Sequence, residues 1–283
     1  MNMTDFTLVA RPTRDKTASF FTPTNNMYDH WSPYTSIVSD NSMPQCEKHT
    51  TPKPKQTTAI KHCQQDTLRD VIRAGCHALL VGQAGTGKTQ AAENVANELG
   101  LDFYPVSIGE QTTKTDLLGY CSPVTGDYVS TPVRQAFESG GILLLDEIDA
   151  GNANTLTILN ALLANGQCSF PDGIVRQHKN FFVIAAANTF CNGADRKYVG
   201  RNKLDGAFLD RFVMMDWVLD LDLEDAIAES ILPGSATVRS VTKYVRTIRR
   251  QVAEKHLDVI VSTRSIIAAQ ETDYDRTNIQ QRL

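Results

Sequence analysis

The sequence predicts an α/β protein, in which helices cover both faces of a five-stranded parallel sheet and a small helical domain follows. Five short apolar runs alternate with helical segments, which is typical of strands buried in a parallel sheet. A glycine-rich turn comes directly after the first run and opens a helix. Beyond Leu221 no run of this kind recurs. We therefore expect an α/β domain over residues 65–220 and a helical domain over residues 221–283.

The elements follow one another in a regular order. The segment "DTLRDVIRAG" places Leu68, Val71 and Ile72 on one helical face and ends at Gly75, a typical helix stop. The five predicted strands are residues 77–81, 102–108, 141–146, 181–187 and 212–218. After them, "EDAIAESIL", "VRSVTKYVRTIRRQVAEKH" and "STRSIIAAQE" have helical periodicity. Together these elements predict a three-layer sandwich followed by helices.

Two stretches between these elements carry turn signals. "CSPVTGDYVST" (121–131) has a Thr-Gly-Asp turn between short β-prone arms, and "GQCSFPDGIVRQH" (166–178) has Pro-Asp-Gly in the same position. Each pattern predicts a hairpin inserted between two elements. From composition alone, a plain surface loop explains each stretch equally well.

Composition and charge exclude several classes of protein. The 283 residues carry a formal net charge of −4, without the basic excess typical of a protein that coats nucleic acid. No apolar run approaches the ~20 residues that span a bilayer, and the N-terminus lacks the apolar core of a secretory signal. The six cysteines therefore indicate reduced thiols in a cytoplasmic protein.

Residues 1–64 differ from the remainder in composition. They are rich in Thr, Ser, Pro and Asn and have no sustained period, so we expect a flexible arm. Its aromatic side chains leave docking onto a partner as an alternative; they are Phe20, Phe21, Tyr28, Trp31 and Tyr34. The arm also holds four side chains of the types that bind zinc, Cys46, His49, His62 and Cys63. Because the last two are adjacent in sequence, scattered residues are the better interpretation.

The turn after the first strand fits the phosphate-binding pattern G-x-x-x-x-G-K-[ST] in full. It consists of Gly82, Gln83, Ala84, Gly85, Thr86, Gly87, Lys88 and Thr89. In this strand–loop–helix context, backbone N–H groups and the helix N-terminus surround phosphate groups. We expect Lys88 to reach the β- and γ-phosphates of a nucleotide, and the Thr89 hydroxyl to ligate Mg²⁺. The sequence thus predicts a site for a nucleoside triphosphate with Mg²⁺.

Polar side chains end the third and fourth predicted strands. Asp146 ends "GILLLD", where it could hold Mg²⁺ partly through water, and Glu147 follows as the candidate general base. Asn188 follows "FFVIAAA", where a neutral amide could orient the attacking water and detect the γ-phosphate. Asp149 is explained nearly as well by capping of the helix in "NANTLTILNALLANG".

The order of phosphate loop, Asp-Glu strand, Asn-tipped strand, "LDRF" and "STRS" resembles that of the AAA+ ATPases, a group of P-loop NTPases. "LLLDEIDAG" and "AAANTF…GADRKYVGRNKLDGAFLDRF" are most similar to the MoxR-type branch. Within that branch, the chain resembles the CobS-like ATPase subunit of aerobic cobaltochelatase and its bacteriophage relatives. The resemblance covers roughly residues 67–270 and identifies both turn-rich stretches as hairpin inserts.

Roles for three residues are implied by this resemblance. Asn188 matches sensor 1, Arg211 in "LDRF" matches the arginine finger, and Arg264 in "STRS" matches sensor 2 at the start of a lid helix. The family arrangement directs a finger at the γ-phosphate of the next subunit in a ring, usually a hexamer. Because the chain stops soon after Arg264, a reduced lid is expected.

Other arginines are less certain from sequence. The residues alone allow an ion pair of Arg211 with Asp210 or Asp205 as readily as a phosphate contact. Arg196 and Arg201 have no firm counterpart in the family, and either could face a subunit boundary or be solvated.

The implied activity is that of a chaperone-like ring ATPase that remodels a partner protein or complex. No Asp-x-Ser-x-Ser motif is present, so a von Willebrand A-type partner would be a separate protein. One alternative is a nucleic-acid-dependent motor with the hairpins in its pore and "KYVRTIRRQVAEKH" as a basic helix, although the mild acidity argues against it. Another is a slow nucleotide switch.

Overall fold

The computed structural model describes residues 61–231, 233 and 236–271. A parallel sheet of five strands runs through it in the spatial order β2-β5-β8-β1-β9. Its strands are β1 His77–Val81, β2 Phe103–Ser107, β5 Gly141–Asp146, β8 Phe181–Ala187 and β9 Phe212–Asp216. The predicted sheet is confirmed, and only the runs 102–108 and 212–218 extend one or two residues beyond their strands.

Helices cover both faces of this sheet. The helices of the α/β part are α1 Gln65–Arg73, α2 Lys88–Leu99, α3 Lys114–Leu118, α4 Pro132–Ser139, α5 Ala153–Ala164 and α6 Gly206–Leu209. Because side chains alternate along a strand, β1 sends Leu80 into one buried cluster with α1 and α2. Its neighbour Leu79 joins a second cluster with α4 and α5 on the opposite face. The three-layer α/β fold predicted from the sequence is therefore confirmed.

The two turn-rich stretches form antiparallel hairpins, as the sequence pattern predicts. Strands β3 Tyr120–Cys121 and β4 Tyr128–Val129 pair between α3 and α4. Strands β6 Gln167–Phe170 and β7 Gly173–Arg176 pair between α5 and β8. Arg134 in α4 joins them: its guanidinium lies over the rings of Tyr128 and Phe170 and forms an ion pair with Asp172 at 2.6 Å.

Three helices follow the sheet: α7 Leu221–Ile231, α8 Ala236–Glu254 and α9 Thr263–Glu271. They enclose an apolar cluster of their own that includes Val245, Ile248 and Ile266. Helix α7 begins at Leu221, the position at which the sequence loses its strand-like runs. Among the described residues, no helix combines the length and apolar character needed to cross a bilayer.

Residues 1–60 of the predicted arm lie outside the described residues, and with them Cys46 and His49 of the zinc alternative. Residues 61–64, which the sequence assigns to the arm, are folded against the end of β9. The His62 ring stacks on Trp217 at 4.1 Å between centroids, and the Cys63 backbone N–H donates to Asp220 at 2.7 Å. The α/β part thus begins before residue 65.

Candidate functional site

The predicted site residues gather at the carboxyl edge of the parallel sheet. A cavity of about 440 Å³ is lined by the phosphate loop, by Asp146, Glu147 and Asn188, and by residues of the C-terminal helices that include Arg264. In open parallel sheets, ligands bind at this edge because the loops that follow the strands converge there. The topology therefore brings together groups as far apart in the sequence as Ala84 and Arg264, 180 residues.

The phosphate loop depends on glycine at two kinds of position. Gly85 and Gly87 have φ of +79° and +83°, a left-handed conformation that a side chain disfavours. Gly82 and Gly85 also have no room for a side chain. A Cβ on Gly82 would lie 2.2 Å from the Trp217 carbonyl oxygen, and one on Gly85 would lie 2.6 Å from the Ser262 Cβ. The loop is therefore packed against both β9 and the segment before α9.

Lys88 is the buried cation of the loop. Its Nζ donates to the carbonyl oxygens of Gly82 and Gln83 at 2.6 and 3.0 Å and to Asn188 Oδ1 at 3.1 Å. Burial lowers the pKa of Lys88 to about 8, although the carboxylates of Asp146, Asp149 and Glu147 act in the opposite direction. A lysine desolvated in this way gains more from a phosphate anion than a solvated one would.

Thr89 and Asp146 provide oxygen ligands suited to Mg²⁺. The Thr89 hydroxyl donates to Asp146 Oδ2 at 2.8 Å, across the gap between the start of α2 and the end of β5. Mg²⁺ prefers oxygen ligands and retains several waters, so one hydroxyl and one carboxylate beside a triphosphate fit its chemistry. The donor set is therefore consistent with the predicted metal ligands.

Glu147 is held in an unusual backbone conformation. Its φ of 56° is left-handed, which costs a non-glycine residue about 1–2 kcal/mol. The Glu147 N–H donates to Asp146 Oδ1 at 3.0 Å, and its side chain remains half exposed at 50%. Backbone outliers of this kind concentrate at functional sites, where the surrounding structure holds them. In this conformation Glu147 lines the cavity.

Asp149 does not cap helix α5, so the capping alternative is wrong. The N-cap is Asn152, whose side chain accepts from the Asn154 N–H at 2.9 Å. Asp149 is fully buried, and its Oδ2 accepts from the Asn188 N–H at 3.1 Å and from the N–H and hydroxyl of Thr189 at 3.0 and 2.9 Å. Asp149 therefore fixes the segment that carries Asn188.

Two of the predicted arginines occupy different surroundings. Arg264 lines the cavity at the start of α9, and it is exposed. Arg211 is not among the residues that line this cavity; its guanidinium donates to the Ala207 carbonyl of helix α6. Within the described residues it forms no ion pair with Asp210 or Asp205, and Asp205 instead caps α6 through the Ala207 N–H. The ion-pair alternative for Arg211 is thus wrong.

The sequence analysis missed two contacts made by the segment "YVGRN". The Arg201 guanidinium lies between Asp149 and Glu147, with Nη1 3.0 Å from Asp149 Oδ1 and Nη2 3.5 Å from Glu147 Oε2. The Tyr198 hydroxyl accepts from the Ala84 N–H of the phosphate loop at 3.1 Å. The only sequence signal was an arginine and a tyrosine in a polar stretch between two strands. Arg196, two residues before this segment, is exposed and makes no ion pair among the residues described.

Comparison with known proteins agrees with this geometry. Residues 77–212 match the family model of the AAA domain, dynein-related subfamily. Over these residues, just under half of the chain, the sequence is therefore similar to AAA domains. The matched residues run from the first residue of β1 to the first residue of β9 and so include the phosphate loop, Asp146, Glu147, Asn188 and Arg211.

Proteins similar to this chain occur in bacteria. The chain is 32% identical to YojN of Bacillus subtilis over 154 residues, which are 51% of this chain and 48% of YojN. It is 28% identical over 213 residues to a protein of Staphylococcus epidermidis, covering 69% of this chain and 78% of that protein. It thus spans about half the length of YojN. Among solved structures, NtrX of Brucella abortus in complex with ATP has 16% identity and a TM-score of 0.47, over 64% of this chain and 42% of NtrX.

Proposed function

We propose that this AAA domain binds ATP with Mg²⁺ and hydrolyses it, with Glu147 as the general base. The observation that carries the proposal is the position of Glu147 in one cavity with the phosphate loop, Lys88 and Asp146. In phosphoryl transfer the protein mainly positions groups and neutralises the charge that develops between the β- and γ-phosphates. Lys88 supplies a cation, and Asn188, which contacts Lys88 at 3.1 Å, is set to orient water near the γ-phosphate.

Thr89 and Asp146 are the proposed holders of Mg²⁺, directly or through water. The bound ion would neutralise phosphate charge during the reaction. The backbone N–H groups of the loop from Gln83 to Thr89 and the N-terminus of α2 would bind the phosphates. Arg264, which lines the cavity from α9, would contact the nucleotide from the side of the C-terminal helices.

The proposed site is completed by a second copy of the chain. Among the residues that the structure describes, Arg211 neither lines the cavity of its own chain nor pairs with a carboxylate. An arginine supplied by a neighbour is worth about 10³–10⁵ in rate in comparable NTPases. A head-to-tail contact that brings Arg211 to the next subunit closes into a ring, and the resemblance to AAA+ proteins makes a hexamer the proposed size.

The domain boundaries are also part of the proposal. Residues 61–220 would form the nucleotide-binding domain, since His62 and Cys63 already contact Trp217 and Asp220. Residues 221–283 would form a small lid, and residues 1–60 an arm of separate character. Support for the lid comes from Thr263 and Arg264, which line the cavity together with the phosphate loop. A lid in this position would sense whether nucleotide is bound.

The proposed work of the ring is the remodelling of a protein partner in the manner of MoxR- and CobS-like ATPases. The resemblance in "LLLDEIDAG" and the "LDRF" segment supports this branch. The two hairpins expose apolar side chains at Val124 and Ile174, which are 90% and 72% exposed. These side chains are available to a client, or to a von Willebrand A-type adaptor encoded as a separate protein.

A hydrolysis and trapping experiment tests the proposal. Wild-type protein should release phosphate from ATP, Lys88→Ala should lose nucleotide binding, and Glu147→Gln should bind ATP without hydrolysing it. Arg196→Ala, a change at an exposed arginine, is the matched control and should keep wild-type activity. Hydrolysis by Glu147→Gln at the wild-type rate would refute the assignment of the base. A client held by the ATP-bound Glu147→Gln protein, and released by wild type, would identify the partner.

A further inference from the structure

Arg201 lies between two carboxylates that belong to different parts of the site. Nη1 is 3.0 Å from Asp149 Oδ1 and Nη2 is 3.5 Å from Glu147 Oε2. The arginine side chain is only 13% exposed, whereas the Glu147 side chain is 50% exposed. One end of the guanidinium is therefore anchored in the interior by a buried acid, and the other end reaches the proposed general base.

The position of Arg201 is built into the fold by its neighbours. The Asn202 N–H donates to the Asp149 carbonyl at 2.7 Å, and the Asn202 side chain donates to the Gly151 carbonyl at 3.0 Å. Two residues later, the Leu204 N–H donates to the Cys191 carbonyl at 3.0 Å. These contacts fasten the segment to the turns after β5 and β8 without the Arg201 side chain.

Asp149 connects Arg201 to the segment that carries Asn188. One carboxylate oxygen of Asp149 accepts from the N–H groups of Asn188 and Thr189 and from the Thr189 hydroxyl, and the other accepts from Arg201. Asn188 in turn contacts Lys88 through its side chain at 3.1 Å. A continuous set of polar contacts therefore runs from the phosphate-binding lysine through Asn188, Asp149 and Arg201 to Glu147.

We propose that Arg201 is a positioning residue, which holds the Glu147 carboxylate in a fixed orientation relative to Asn188 for ATP hydrolysis. This inference rests on the proposed function of the same site. A half-exposed carboxylate samples many orientations in water, and a fixed guanidinium restricts them to those within its reach. Arginine suits the position because its planar fork contacts two carboxylates at once, whereas a lysine ammonium is a single charged point.

The expected signature is a loss of turnover with little loss of nucleotide binding. Arg201→Ala should lower kcat about 10- to 100-fold, the range expected when a reacting group is slightly misplaced. The Kd for ATP, measured by titration of a fluorescent ATP analogue, should change less than about twofold because Arg201 is not among the residues that line the cavity. Arg201→Lys should recover only part of the loss. Arg196→Ala, the same change at an exposed arginine five residues earlier, should leave both values unaltered.

A double-mutant cycle separates positioning of Glu147 from a general structural role. If Arg201 acts through Glu147, adding Arg201→Ala to Glu147→Gln should cause no further loss in the residual single-turnover rate. A further loss of about 10-fold or more in that background, a raised basal rate in Arg201→Ala, or an unchanged kcat would overturn the proposal. Arg201→Gln, which keeps a hydrogen-bond donor toward Asp149 without the charge, serves in the same cycle if Arg201→Ala does not fold. A wild type without ATPase activity would refute the proposed function itself, and this inference with it.

Discussion

Two buried carboxylates, Asp149 and Glu224, each accept several hydrogen bonds, but they connect different parts of the molecule. Asp149 lies under the site in the α/β part and is fully buried. Glu224 lies among the C-terminal helices and is 1% exposed. Glu224 accepts two hydrogen bonds from Arg249, one from Arg246 and one from the Thr263 hydroxyl. It thereby joins α7, α8 and the start of α9.

The two clusters differ in the other groups that their arginines contact. Arg249 also donates to the Val261 carbonyl, and Arg246 donates to the Leu221 carbonyl and to Asp225. Both arginines of the Glu224 cluster thus end on groups of the same helical region. The arginine of the Asp149 cluster instead reaches Glu147 at the cavity. The Glu224 cluster thus joins three helices beside the cavity, which Glu224 itself lines, whereas the Asp149 cluster connects Asn188 to Glu147.

The largest expected effect comes from removal of the Glu224 carboxylate. Glu224→Ala leaves Arg249 and Arg246 without their shared partner and should destabilise the C-terminal helices by about 3–5 kcal/mol, the usual cost of breaking a buried ion pair. Hydrogen exchange should show faster exchange in α7–α9 and little change in the sheet. Glu254→Gln removes the same charge from an exposed position of α8 and should have an effect below about 0.5 kcal/mol. If both variants destabilised the C-terminal helices equally, the buried Glu224 carboxylate would not be what holds these helices together.

A smaller effect is expected where the two regions touch. Gly85→Ala places a Cβ 2.6 Å from the Ser262 Cβ, so the phosphate loop or the segment before α9 must move. The affinity for ATP should fall about tenfold, because overpacking of this kind costs about 1–3 kcal/mol. Gly75→Ala is the matched control: Gly75 has a similar φ of +82°, but a Cβ there would meet no atom of the described residues within 4 Å. A loss of affinity in both variants would trace the effect to backbone strain in general.

The site should respond to alkaline pH through Lys88. Because burial lowers the pKa of Lys88 to about 8, the free protein loses this positive charge as the pH rises through that value. ATP favours the charged form, so binding should take up protons near pH 8 and weaken by up to about tenfold per pH unit above it. Calorimetry in buffers of different ionisation enthalpy measures the proton uptake. Near pH 8 the terminal phosphate of ATP is already ionised, so the uptake reports on the protein. If ATP binding released protons instead, the predicted increase of the Lys88 pKa on binding would be wrong.

The C-terminal helices should respond at the opposite end of the pH scale. Burial alone would raise the pKa of Glu224, but hydrogen bonds and charge from Arg249, with Thr263 and Arg246, hold that pKa below its usual range. The carboxylate therefore adds stability above the ordinary glutamate range, and this stability is lost as the pH falls through the lowered pKa. Acid unfolding followed by hydrogen exchange should release α7–α9 before the sheet. Simultaneous loss of both regions would argue against a separate acid-sensitive cluster.

Local patterns predicted the fold and the phosphate loop. A buried strand shows as a short apolar run, and the loop shows as glycines at fixed spacing within eight residues. The five apolar runs and both hairpins have their predicted places. The role of Asp149 was not accessible in this way, because Arg201 and Thr189 reach it from 52 and 40 residues away. An aspartate at position 149 suits a helix N-cap and a buried ion pair equally well. Only the folded path of the segment from Cys191 to Leu204 distinguishes them.

Mixing of two inactive variants tests the central claim, a site shared between subunits, most directly. Arg211→Ala lacks the proposed finger and Glu147→Gln lacks the proposed base, so each alone should be inactive in ATP hydrolysis. In a mixed ring, an intact Glu147 of one subunit can face an intact Arg211 of the next, and measurable activity should return. If mixed rings form, as shown by native mass spectrometry with differently tagged subunits, and no activity returns at any ratio, the account of a shared site is contradicted.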